Sequence, residues 1–284
     1  LIPFHGGFTL EQARTVLADD AVPAIAELRA RSLIHLHGTD RFAAFDVIRE
    51  VVAELAPADA FLAARVRHAE AFGSFLTAAD AAQVATELPN LQAAVDTLVE
   101  VGRLSDACDL LRRLIALPLP IEDQLRHGRH GIALAPDDDT RAEFEATTSR
   151  DLRRSGRIRD ALDGARRAVA IASRAPTVAL ARHNQVESAV VLGEYEEAEA
   201  SARVLVALAP ELDEGGALVA RLAFARVLAL SKDPAAAIRM VDSLQQSVHA
   251  NEKAWAYGEA IRAFAQMQLD PAKAKIKDAR QAAT

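Results

Sequence analysis

Two histidine pairs stand at spacings that suit metal ligation. His35 and His37 alternate on a predicted strand, and His127 and His130 lie three apart on a predicted helix, so each pair would present two imidazoles on one face. Neither pair has a third ligand at a diagnostic spacing, so no metal site is assigned and solvated or edge histidines are expected. Asp137, Asp138 and Asp139 could gather a cation, but acidic residues before a helix beginning near Thr140 are favoured by its dipole. Cys108 is the only cysteine, which rules out an internal disulfide. It falls beside the small-residue position of a predicted helical hairpin and reads as core rather than as a reactive thiol.

The strongest polar anomaly is a run of arginines: Arg150, Arg153, Arg154, Arg157, Arg159, Arg166 and Arg167, interrupted by Asp151, Asp160 and Asp163. Three readings fit it: a solvated helix surface laced by ion pairs between repeats, a site for an anionic ligand or acidic peptide, or a nucleic-acid contact. No residue set is assigned to catalysis. The phosphate-cradling pattern Gly-x-x-x-x-Gly-Lys-Ser/Thr does not occur in the sequence, so ATP hydrolysis by this chain is not expected.

The elements that must position these residues are predicted to be mostly helical. Of 284 residues, 51% are hydrophobic but only 5% aromatic, and alanine supplies much of the apolar count. Alanine has the best helix propensity and lets helix axes approach closely. With 13 glycines and 11 prolines, a turn-rich β-sandwich or a disordered chain is not expected. The net charge of -7 argues against a chain built to coat nucleic acid or an anionic membrane. No apolar run approaches the ~18 residues that span a bilayer. A soluble, cytoplasmic protein is expected, and the absence of Met at position 1 suggests a portion of a longer polypeptide.

Residues 1–57 read as a small mixed module. Thr9 and Gln12 have the spacing of a capping box opening a helix over 10–17. A second helix is predicted over 21–31, with Asp19 and Asp20 just before it. Two short strands over 33–36 and 41–45 flank a turn, and a third helix runs over 46–55. This is the outline of a winged helix, whose second helix can enter a DNA major groove. Here that helix offers only Arg29 and Arg31 against Glu27 and the two aspartates, a sparse footprint that argues against direct DNA binding.

Residues 58–87 read as linking helices, and residues 88–284 as about five helical hairpins. Turn motifs begin at Gly102, Gly156, Gly193, Lys232 and Leu269, at intervals of 54, 37, 39 and 37 residues, and each places Ala107, Ala161, Ala198, Ala237 or Ala274 at one offset. A period in the high thirties signals a helical solenoid. The long first interval leaves room for an additional helix over 121–135. The last two copies lack the turn glycine, and Lys273, Lys275, Lys277 and Arg280 near the end read as a solvating cap or as a cut through a longer array, which would favour self-association into a homo-oligomer.

Gly193-x-Tyr195-x-x-Ala198, closed by Leu208 and Pro210, resembles the tetratricopeptide repeat. The N-terminal 4–13 segment, Phe4-His5-Gly6-Gly7-Phe8-Thr9-Leu10-Glu11-Gln12-Ala13, resembles the start of the winged helix that follows the nucleotide-binding domain of bacterial STAND ATPases. Leu28-x-x-x-Ser32-Leu33-Ile34, the Arg41-Phe42 strand leading into Ile48-Arg49-Glu50, and Glu87-x-x-Asn90-Leu91 resemble further motifs of that family, in the same order. The resemblance implies a mainly α chain, an N-terminal winged helix with a small β-hairpin followed by a tetratricopeptide-like α-solenoid. It also implies the non-catalytic sensor, autoinhibitory and protein-interaction region of a signalling ATPase, probed by an effector small molecule, peptide or protein. The large LuxR-type and SARP-type transcription regulators are built this way. ATP would then belong to an upstream ATPase domain in cis, and this chain itself would hold no cofactor.

Tetratricopeptide arrays bind along the concave surface lined by the first helix of each hairpin. Helical offsets from each turn place Arg150, Arg154, His183, Glu187, Arg226 and Glu259 on that side, a row able to hold a peptide or anionic effector. The alternative reading is a free-standing winged-helix DNA-binding regulator that uses its repeats for dimerisation or ligand sensing.

Overall fold

The computed structural model describes residues 1–17, 21–38, 40–231, 233–244 and 252–270. It is mainly α, and its contacts form two compact units, residues 1–136 and 137–284.

The first unit opens with β1 (Phe8–Thr9), α1 (Leu10–Leu17), α2 (Ala21–Ala30), β2 (Ile34–His37), β3 (Arg41–Ala44) and α3 (Asp46–Leu55). The strands form an antiparallel sheet of order β1-β3-β2, with Phe8 and Leu36 both opposite Phe42. The capping box forms as the spacing predicts: Gln12 N–H donates to Thr9 Oγ1 at 3.2 Å, and Thr9 N–H donates to Gln12 Oε1 at 2.8 Å. Strand β1 carries no sequence signal, because two residues show no alternation and its partner lies far along the chain. Helix α3 buries none of its side chains and leaves Val47, Val51 and Leu55 exposed.

The unit continues with α4 (Ala58–Phe75), α5 (Ala81–Glu100), α6 (Leu104–Ala116) and α7 (Ile121–Leu134). Helix α7 is the additional helix that the long interval made room for. The expected boundary between linking helices and repeats at 87/88 falls inside α5. That helix starts earlier because Asp80 and Gln83 form a second reciprocal capping box, and it runs through Pro89. Phe4 fastens the N-terminal segment to α4, its ring lying 4.9 Å from His68 and 6.1 Å from Phe72, centroid to centroid.

The second unit contains α8 (Asp138–Arg154), α9 (Ile158–Ile171), α10 (Ala175–Leu192), α11 (Tyr195–Ala207), a 3-10 turn (Ala209–Glu211), α12 (Glu214–Leu230), α13 (Pro234–Ser243) and α14 (Glu252–Leu269). Hairpins α8/α9, α10/α11 and α12/α13 stack in succession, with α9 on α10, α11 on α12 and α13 on α14, while the first helices α8, α10, α12 and α14 also meet in order. This is the stacking of a tetratricopeptide-like solenoid. Ala161, Ala198 and Ala237 are fully buried at their shared offset, as is Ala107 in the first unit, so a larger side chain there would wedge two helices apart. Ala274 and the basic terminal segment lie outside the described residues, as do Asp19, Asp20 and Lys232.

Gly102, Gly156 and Gly193 end α5, α8 and α10 in one conformation, with φ of 76°, 82° and 75°. At the third turn Glu194 N–H donates to Ala189 O at 2.9 Å and Gly193 N–H to Val190 O at 3.1 Å, the paired bonds of a Schellman cap. An added Cβ would meet nothing at these glycines, whereas at Gly7, φ 77°, it would fall 2.9 Å from the Phe42 carbonyl oxygen. Gly193→Ala should therefore cost about 1 kcal/mol, from the left-handed backbone alone. Gly7→Ala should cost roughly 2–3 kcal/mol, because β3 must also move. Urea unfolding of the two variants checks the difference.

Candidate functional site

Every arginine of the basic run has an acidic partner. Arg150 and Arg154 converge on Asp151, at 3.0 and 3.4 Å. Arg157 pairs with Asp160, Arg167 with Glu145, and Arg159 with Glu194. Arg166 holds Asp163, Glu194 and Glu197. Most of the run is therefore ion pairing within and between hairpins.

Arg153 is the exception in kind, because it takes part in a polar chain that crosses three first helices. It lies 3.7 Å from Glu187 Oε2 on α10, the same oxygen that Arg226 of α12 approaches at 2.5 Å. Tyr257 of α14 lies within electrostatic reach of both Arg226 and Glu187. His183, one turn before Glu187, faces the same charges. Of the six residues anticipated on this row, the structure brings His183, Glu187 and Arg226 together. It sets Arg150 and Arg154 over the fully buried Asp151 and places Glu259 beside Arg262, at 3.3 Å. Helical offsets missed Arg153 because one residue of phase turns a side chain through about 100°. They missed Tyr257 because nothing in the repeat pattern marks it.

The cluster is under-bonded compared with the ion pairs around it. Glu145 uses both oxygens on Arg167, and Glu197 uses both, on Arg166 and Gln185. Glu187 is only 8% exposed, yet its Oε1 has no partner, and neither do Arg153 Nε or His183 Nδ1, all three shielded from solvent. Burial lowers the His183 pKa, Arg153 and Arg226 lower it further, and Glu187 opposes them, so the imidazole is neutral near pH 7. Burial raises the Tyr257 pKa, so the phenol keeps its proton. At the cluster itself the guanidiniums of Arg153 and Arg226 meet the single carboxylate of Glu187.

In the first unit a second polar cluster is fully bonded. Glu87 receives Gln12 Nε2 at 2.8 Å, Asn90 Nδ2 at 2.7 Å and the Arg41 guanidinium. Arg41 also donates to the carbonyls of Gly6 and Gly7, and Asn90 accepts from His5 N–H at 2.7 Å. Burial pushes the Glu87 carboxyl up, but the bonds from Arg41, Gln12 and Asn90 outweigh this and hold it below the usual carboxylate range. The Gly6-Gly7, Arg41-Phe42 and Glu87-x-x-Asn90 motifs thus meet at one place.

The remaining candidates resolve structurally. His35 stacks on Phe45 with centroids 4.6 Å apart. His127, expected at a solvated or edge position, is 1% exposed, because its face of α7 packs inward. Asp137 caps α8 through Thr140, and Asp139 bonds the Ser173 and Arg174 amides. Cys108 is buried in α6. Among the described residues no group of three or more His, Cys, Asp or Glu could hold a metal ion, and no helix is long and apolar enough to cross a membrane. Arg29 of α2 lies over the Phe42 ring at 5.9 Å, and Arg31, just past the end of that helix, pairs with Glu27 at 2.7 Å on the surface.

No family model matches the chain, and no curated protein matches it. Among solved structures it is similar to a Signal Transduction ATPase with Numerous Domains (STAND) protein with a tetratricopeptide repeat sensor from Pyrococcus horikoshii, at 11% identity and a TM-score of 0.45. The match covers 99% of this chain and 61% of that one, so this chain spans about three fifths of that protein's length.

Proposed function

We propose that this chain is a non-catalytic sensor and interaction region, and that its first-helix row is where an effector binds. The supporting observation is the polar chain Arg153–Glu187–Arg226, which joins three successive first helices, reaches toward Tyr257 on the next, and leaves buried donors and acceptors without partners. A ligand bonding to these groups would satisfy them and would fix the hairpins relative to one another. In this reading the unit of residues 1–136 belongs to a STAND-type signalling ATPase, whose upstream domain binds ATP and whose output is transcriptional. The motifs that support this converge on Glu87.

Phage-display selection on the purified chain tests the surface without assuming ligand chemistry. Selected peptides should lose at least about tenfold in affinity against His183→Ala and Arg226→Ala, as truncation of central contacts does. They should be indifferent to Val51→Ser on α3. Selected peptides indifferent to the two row substitutions would remove the row as the site. Binding of duplex DNA with a steep negative salt dependence would instead favour a DNA-binding regulator.

A further inference from the structure

The under-bonded state of Glu187 points to the chemistry of the ligand. We infer that the row accepts an acidic peptide, and that Glu187 is a resident carboxylate occupying the place of a ligand carboxylate between Arg153 and Arg226. This inference rests on the reading of the row as a binding surface.

Exposed ion pairs in this unit, such as Arg157–Asp160 and Arg203–Glu199, use one carboxylate oxygen and leave the other to solvent, whereas the more buried Glu145 and Glu197 use both. Glu187 instead offers one oxygen to two arginines on neighbouring hairpins and buries the other unpaired. Carboxylate–guanidinium recognition is strongest when both oxygens meet two N–H donors. An incoming carboxylate can achieve this with Arg226 and Arg153, and Glu187, once displaced, can turn Oε1 toward a donor or solvent. The row also has charge to spare. Arg153 and Arg226 place two guanidiniums on the one carboxylate of Glu187, and Arg150 of α8 has a side chain 38% exposed, so a second ligand carboxylate has a partner one turn away. Neutral His183 and the protonated Tyr257 phenol add uncharged polar groups between the arginines. The surplus is local, since the chain as a whole carries -7. Acidic ligands are thus drawn to this row.

The test is fluorescence anisotropy with three labelled hexapeptides, all-glutamate, all-lysine and Gly-Ser, at fixed low salt, with circular dichroism confirming that each variant is folded. The glutamate peptide should bind, and Glu187→Gln should tighten it about tenfold by removing the competitor while keeping the side-chain shape. Arg153→Ala with Arg226→Ala should weaken it more than about tenfold. Arg226→Lys, which keeps the charge but loses the fork, should also weaken it and serves if the double variant does not fold. Arg167→Ala deletes a charge from a saturated pair and should change affinity less than about twofold. The inference is overturned if Glu187→Gln leaves glutamate-peptide affinity unchanged or lower, or if Arg167→Ala costs as much as the row substitutions. If a lysine or Gly-Ser peptide binds instead, and Arg226→Ala abolishes it, the row stays a binding surface and only its acidic preference fails. If the phage selection yields no row-dependent peptide, the surface reading falls with it.

Discussion

Acidification from pH 7 to pH 5 is expected to cost residues 1–136 about 4 kcal/mol of stability. The cause is a pair of buried histidines, His68 and His127, each 1% exposed and each held by burial at a pKa of about 4 against an ordinary 6.5. Between those values the unfolded chain takes up a proton at each site and the native chain does not, so stability falls as pH falls through this window. Each histidine contributes about 2 kcal/mol of loss by pH 5, from the standard linkage relation. Against a typical total of 5–15 kcal/mol this is a large fraction. Urea unfolding at the two pH values measures it. His127→Leu should roughly halve the loss, because neither nitrogen of that ring has a partner whose bond the substitution would break. An unchanged pH dependence in that variant would show that other groups carry the effect.

The second large effect is expected at the Glu87 cluster. Arg41→Ala should destabilise the first unit by about 3–5 kcal/mol, because it leaves a carboxylate buried without its guanidinium. The side chains of Arg41 and Glu87 are 14% and 4% exposed, so solvent cannot take over the lost contact. Glu87→Gln with Arg41→Ala should cost less than the sum of the single changes, and a double-mutant cycle in urea measures the coupling. Additivity would mean that the two side chains act independently despite their contact. The depressed Glu87 pKa adds stability that is present above the ordinary carboxylate range and is lost only in stronger acid, below the histidine window.

What the sequence disclosed and what it hid follow from distance along the chain. The Thr9–Gln12 capping box and the glycine turns were legible because each is settled by a few neighbouring residues and one backbone conformation. The buried alanines were legible through their recurrence. Strand β1 and the Glu87 cluster were not, since Glu87 meets Gln12 and Arg41 across 75 and 46 positions. The first-helix row was legible in part. The offsets named Glu187 and Arg226, which the structure pairs, but not Arg153, which differs from its neighbours Arg150 and Arg154 only in helical phase. The inward turn of His127 depends on which face of α7 is covered, and an isolated histidine does not report that.

The placement of Phe4 and Glu87 bears on how this protein can be cut. A fragment ending at residue 57 would contain β1–β3 and α1–α3 yet lack Glu87, Asn90, His68 and Phe72. Gln12, Arg41 and the Gly6 and Gly7 carbonyls would lose their bonds, and Phe4 would face water. The smallest piece that keeps these contacts extends through α5, so residues 1–57 are not a detachable cassette. Grafts and truncations that respect the element pattern but split α4 and α5 from residues 1–57 should yield aggregating or unfolded material, whichever partner they are fused to.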